Sequence, residues 1–170
     1  MAERSVIWRD QMAFINETQY ISRVRSAEME LNRKMITVGG LGGIGDMEMP
    51  NGKYEAATMS VAFQSVSLTD VTMFSKNEGW VKLRLTGQLR MADSNTGTRV
   101  VDNAITRVHG YVKNPPVPGY QEDGSPYTAQ ISVMFLEIMD QTGRVFMVDY
   151  INGIVYPDDG PGAGGFTFTI

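Results

Sequence analysis

One histidine, His109, and no cysteine in 170 residues leave little of the material from which catalytic and metal centres are made. A structural zinc site takes four His or Cys ligands, and a nucleophile relay needs a positioned base beside its Ser or Cys. His109 stands in an alternating run, Val108-His109-Gly110-Tyr111, which reads as a partly exposed sheet position. Asp93 and Asp102 could act as an acid and base pair, but a chain with 19 acidic side chains offers such pairs by chance. Gly40-Leu41-Gly42-Gly43-Ile44-Gly45 has dinucleotide-fingerprint spacing. That motif works by opening a helix whose N-terminal amides meet a pyrophosphate. Pro50, Asn51 and Gly52 leave no length for such a helix, so the segment reads as a flexible hairpin tip. Asp158-Asp159-Gly160 begins like a calcium loop, yet Pro161, Gly162, Ala163 and Gly164 replace the oxygen ligands that should follow, so it reads as a turn. Asn16-Glu17-Thr18 fits a glycosylation acceptor, but Glu3, Arg4, Arg9 and Asp10 leave no apolar signal core ahead of it. The chain is therefore expected to be no enzyme, with no cofactor and no metal.

The elements that must position any binding surface are mostly strands. Hydrophobic residues at 42% and charged residues at 20% are globular values, and one domain spanning residues 1–170 could bury roughly 70% of its unfolded surface. From Trp80 to Met91, Val81, Leu83, Leu85, Gly87, Leu89 and Met91 point one way, and Lys82, Arg84, Thr86, Gln88 and Arg90 the other. Glu28 to Met35 alternates with Met29, Leu31 and Met35 inward and is expected to pair with Thr58 to Gln64. Ser94-Asn95-Thr96-Gly97 turns the Trp80 strand back into Arg99 to Val112, and Asp140-Gln141-Thr142-Gly143 joins Thr128–Met139 to Arg144–Ile151. A short helix is expected over Thr69 to Asn77, capped by Ser67-Leu68-Thr69-Asp70, stopped by Gly79, with Leu68, Val71 and Phe74 inward. Gly39–Gly52, Asn114–Pro126 and Pro157–Gly165 read as loops. The expected fold class is mainly β: an antiparallel β-barrel or sandwich with one short flanking helix and a long glycine-tipped hairpin.

Net charge is −4, from 15 basic and 19 acidic side chains, without the basic footprint of a nucleic-acid binder. From Asn114 onward Arg144 alone faces Glu122, Asp123, Glu137, Asp140, Asp149, Asp158 and Asp159, so one surface should be acidic. No stretch approaches the length of a membrane span, and a cytoplasmic product is expected. Twelve methionines read mainly as core fillers on strands, with a minority at subunit contacts.

Taken in order, these features resemble the major tail tube protein of contractile phage tails, a family related to the tubes of R-type bacteriocins and type VI secretion systems. Met12-Ala13-Phe14-Ile15-Asn16-Glu17 looks like that family's first strand and turn, with Glu17 in place of the usual Gly. A strand from Ser22, the tip Gly39 to Gly45, the return Met59-x-Val61-x-Phe63 and the helix after Ser67 follow in the family's order. Pro118-Gly119-Tyr120 and Phe146-x-Val148-Asp149-x-x-Asn152-Gly153 resemble its later loop and closing strand, whereas the ending Phe166-Thr167-Phe168-Thr169-Ile170 departs from the family's charged one. The resemblance implies hexameric rings stacked into a hollow tube, with sheath protein outside and tape-measure protein inside. It also implies baseplate and terminator proteins at the ends, DNA as non-specific cargo, no stable membrane insertion, and a virion tail assembled in the host cytoplasm.

Unprotected strand edges suit such a role, since neighbours can complete one another's sheets, and a lumen through which DNA slides should be poor in Lys and Arg. Within the tip, Leu41, Ile44, Met47 and Met49 are expected to make contacts between successive rings, because a glycine-rich apolar loop is a poor investment for a monomer. The competing expectations are the tube of an R-type bacteriocin or type VI-like secretion device, and a self-contained β-barrel or jelly-roll module that binds a carbohydrate or peptide on Trp8, Trp80, Tyr111 and Tyr120.

Overall fold

The computed structural model describes residues 4–19, 23–40, 43–93, 96–120, 122 and 124–157, with the backbone alone at 4–10, 18, 19 and 93. Strands β1 (Arg4–Ile15) and β2 (Thr18–Gln19) form a hairpin on Asn16 and Glu17, followed by β3 (Val24–Met29), β4 (Arg33–Val38), β5 (Met47–Tyr54) and β6 (Thr58–Phe63). Helix α1 (Leu68–Ser75) and a 3-10 turn (Lys76–Gly79) lead into β7 (Trp80–Asp93), β8 (Arg99–Val112), β9 (Tyr127–Asp140), β10 (Gly143–Asp149) and β11 (Ile154–Tyr156). The mainly β, antiparallel class read from the sequence is the one observed.

Nine strands form one sheet along the path β11-β10-β9-β8-β7-β1-β2, and β6 and β3 branch from β9. The branch is possible because β9 is long. One of its edges pairs with β8 from Ile131 to Met139, while the other pairs first with β6 along Tyr127–Ser132 and then with β10 along Phe135–Asp140. At the handover Val133 N donates to Ala57 O at 3.0 Å, and Tyr150 N donates to Met134 O at 3.0 Å. A bulge opposite His109 and Gly110 lies at the same level, and bulges bend and twist the strand that carries them. At Gly110 an added Cβ would collide with the Ser132 carbonyl, so only glycine allows this approach.

The curled sheet closes around Ile15, Met59, Val61, Phe63, Val81, Leu83, Val108, Ile131 and Leu136, with Phe74 of α1 filling one side. Ser67 caps α1 reciprocally with Asp70: Asp70 N donates to Ser67 Oγ at 3.3 Å, and Ser67 N donates to the Asp70 carboxylate at 2.8 Å. That geometry turns Asp70 inward beside Phe74, where Arg23 pairs with it. Leu68, expected on the inner face, is instead 78% exposed.

Three further expectations change. Glu28 to Met35 is not one strand: it breaks after Met29, which pairs with Met59, and resumes at Arg33 in a separate two-stranded sheet. Met35 is accordingly exposed. The loop expected over Gly39–Gly52 is shorter, because β5 begins at Met47. Finally, the apolar side of β7 is fully buried only at Val81 and Leu83, Leu85 still packs on the core in part, and past it the side outruns the core to Met91.

Candidate functional site

Hairpin β4–β5 has the least support from its own chain. Its strands alternate and pair Met35 with Pro50, Ile36 with Met49, Thr37 with Glu48 and Val38 with Met47. Residues facing one another across a ladder share a side, so Ile36, Val38, Met47 and Met49 form one apolar face while Thr37 and Glu48 lie on the other. All four apolar residues are exposed, Met47 by 60% and Ile36 by 51%. Among the described contacts the hairpin meets the body at its base, where Tyr150 Oη donates to Glu55 O at 2.8 Å and Tyr54 meets Phe146 edge to face. Of the four expected contact residues, Ile44 is fully exposed near the tip, Met47 and Met49 sit together on the apolar face, and Leu41 lies outside the described residues. Ile36 and Val38 complete the face, and the alternation of β4 is the signal that places them there.

Charge is divided between the two outer faces of the curled sheet. On the side of β7 and β8 turned from the core, Lys82 faces His109, Arg84 faces Arg107 and Arg90 faces Val101. Arg84 lies 4.3 Å over the Phe14 ring and 3.6 Å from Glu17, with its Nε buried and without a hydrogen-bond partner among the described residues. Arg107 and Arg144 converge on Glu137 at 3.4 and 2.7 Å, which explains how that carboxylate is buried. The outer face of β3, β6 and the first half of β9 is different in kind. Ser26 pairs with Ala62, Glu28 with Ser60, Ser60 with Gln130 and Thr58 with Ser132, small polar residues with Glu28 as an acid among them and Lys113 Nζ donating to Thr58 Oγ1 at 2.6 Å.

The other candidates do not converge. Trp80 and Tyr111 meet edge to face at 4.9 Å, but Tyr120 is fully exposed in the loop before β9. The backbone of Trp8 pairs with Leu89, nine residues along β7 from Trp80, about 30 Å away in a strand. His109 stacks on Phe135 at 4.9 Å, and burial, then Lys82 and Arg107, hold its pKa below 6.5. No carboxylate is hydrogen-bonded to it among the described contacts, so no relay is assembled. Among the described residues no three His, Cys, Asp or Glu side chains are grouped to hold a metal. Asp93's side chain and the Asp158-Asp159-Gly160 turn lie outside the described residues, as does nearly all of the expected loop Pro157–Gly165. A pocket of about 490 Å3 beside α1, lined by Asn16, Leu68, Thr72, Lys76, Asn77 and Trp80, has Lys76 as its one titratable side chain. No helix among the described residues is long and apolar enough to cross a membrane.

What this arrangement offers is adhesive surface. A family model described as phage tail tube protein FII matches residues 7–159. A search of curated proteins finds no match to the chain.

Proposed function

This chain belongs to the phage tail tube protein family, a structural component of the virion tail that self-assembles into a tube, and from that premise we propose that it is the inner-tube subunit of a contractile tail. Six copies close a ring, rings stack, and the bore is the conduit through which DNA leaves during ejection. The observation that carries this reading is the β4–β5 hairpin, whose apolar face Ile36, Val38, Met47 and Met49 stands exposed, with no cover among the described residues. At about 25 cal/mol per Å2 of apolar surface buried, six such faces per ring supply a large adhesion once each meets a neighbour. Ile44, Met47, Met49 and the tip residue Leu41 are the contacts assigned between successive rings.

The division of charge suits the same role. A bore lined by Arg84, Arg90 and Arg107 would grip phosphates, and each neutralised phosphate steepens binding. The face of Ser26, Ser60, Thr58, Gln130 and Ser132 offers less grip, since its one cation among the contacts described, Lys113 beside Thr58, is balanced by Glu28, and we assign it to the lumen. The arginine-rich face then lies away from DNA, available to the sheath. Tape-measure protein in the bore and baseplate and terminator proteins at the ends complete the partners.

Negative-stain images and light scattering of the purified protein test the assembly, with rings or stacked tubes expected. A stable monomer at high concentration would overturn it.

A further inference from the structure

Strand β7 outruns the core, and with β8 it leaves an apolar face that the described residues bury only in part. Past Leu85 the side continuing the core carries Leu89 and Met91, each half-buried, and across the ladder Leu89 faces Asp102 while Met91 faces Val100, which is 45% exposed. This β7–β8 ribbon and the hairpin are two apolar sheet faces in one self-assembling chain, neither of them covered by another element among the described residues. They match in size, since Ile36 to Val38 and Leu89 to Met91 each span about 7 Å of strand. They also match in charge: Lys34 alternates along β4 with Ile36 and Val38, and Asp102, which also accepts from Gln141 N at 3.4 Å, shares the side of Leu89.

We infer that the hairpin of one copy packs its Ile36–Met49 face onto the Leu89–Met91–Val100 face of the next, with Lys34 meeting Asp102. This rests on the tube reading and names the acceptor surface that reading lacks. The contact is heterologous, so each copy uses its hairpin forward and its ribbon backward, and made between successive rings the series runs on along the tube instead of closing. It follows that a tube has two chemically different ends, one presenting unfilled hairpins and the other unfilled ribbons.

The absence of cysteine makes the contact testable in the full chain. Ile36→Cys with Met91→Cys, treated with a flexible bis-maleimide, should give a ladder of covalent oligomers on a denaturing gel, while either single variant gives none beyond a dimer. A doubly substituted protein that stays monomeric, as when residues 158–170 of the same chain cover the ribbon, overturns the inference. Independently, Lys34→Asp or Asp102→Lys alone should raise the concentration needed for tubes about tenfold, and the two together should bring it back to within about twofold of the unaltered protein. Additive losses in the double variant overturn the pairing. Unaltered protein that forms no ring or tube would sink the tube reading itself, whereas normal tubes without ladder or rescue would sink only the acceptor.

Discussion

Glu17 occupies a position where the backbone favours glycine. Asn16 and Glu17 have φ of +48° and +66°, the double left-handed turn for which Asn-Gly is the preferred pair in a two-residue hairpin. Asn tolerates that region, but a side chain such as Glu costs roughly 1 kcal/mol there. The Glu17–Arg84 pair at 3.6 Å offsets little of this, because Glu17 is 79% exposed, and such pairs contribute about 0.5 kcal/mol. Glu17→Gly should therefore stabilise the fold by about 0.5 kcal/mol, read as a higher urea midpoint with unchanged slope. A lower midpoint would show that the ion pair outweighs the backbone. His109 makes a pH prediction. Its folded pKa lies below 6.5, so between the two values the unfolded chain binds more protons, and stability falls as pH drops through that window. Replacing it by Phe, which keeps the stack on Phe135, should flatten the fall below pH 6.5. An unchanged slope would assign the acid sensitivity to other groups.

At the scale of elements, α1 shows how a cap overrides a hydrophobic pattern. Leu68, Val71 and Phe74 make a plausible apolar stripe, yet the reciprocal Ser67–Asp70 cap and the Arg23 partner orient the helix with Asp70 and Phe74 inward. An apolar residue in the first turn is left in water as a result. Hairpin β4–β5 follows the opposite logic, since nothing in its own chain requires it. Replacing Leu41 to Met49 with an Asn-Gly turn removes residues outside the buried core together with the three outer pairs of the hairpin, so circular dichroism should lose only that small share of strand signal and stability be altered by no more than about 0.5 kcal/mol. Elongation should stop at single rings. Tubes of normal length from this variant would show that stacking is carried elsewhere, with the N-terminus and Phe166 to Ile170 the next candidates.

For the whole molecule, net charge conceals the separation of arginines from small hydroxyl residues on different outer faces. If the face of β3, β6 and β9 lines the bore, Ser60→Arg adds one cation per subunit there and six per ring. Tubes should still form, since Ser60 is only half-buried and its hydroxyl gives up one bond to Gln130. They should now retain short duplex DNA in a salt-dependent way, whereas unaltered tubes do not. Ser60→Arg tubes that leave DNA free at low salt would place the lumen on another face.

Much of this protein was legible in the chain because the signals are local. Period-two alternation located β7, β8, β9 and β10 to within a residue or two, turn residues set Asp140–Gly143, and Ser67 with Asp70 marked the helix start. The shortage of His and Cys bounded the chemistry. Alternation, however, says only that a strand has two sides, not what covers either of them. Glu28 to Met35 reads as one strand until pairing sends Met29 to β6 and Met35 to β5. Leu83 and Leu89 stand on the same side of β7, and only the reach of β6, β9 and α1 decides that Leu83 is buried while Leu89 is half-buried. Likewise, residues as distant as Ser26 and Gln130, or Arg84 and Arg107, become one neutral or one basic face through register alone. Tertiary structure decides these outcomes because burial depends on contacts between segments far apart in sequence, which no local pattern encodes.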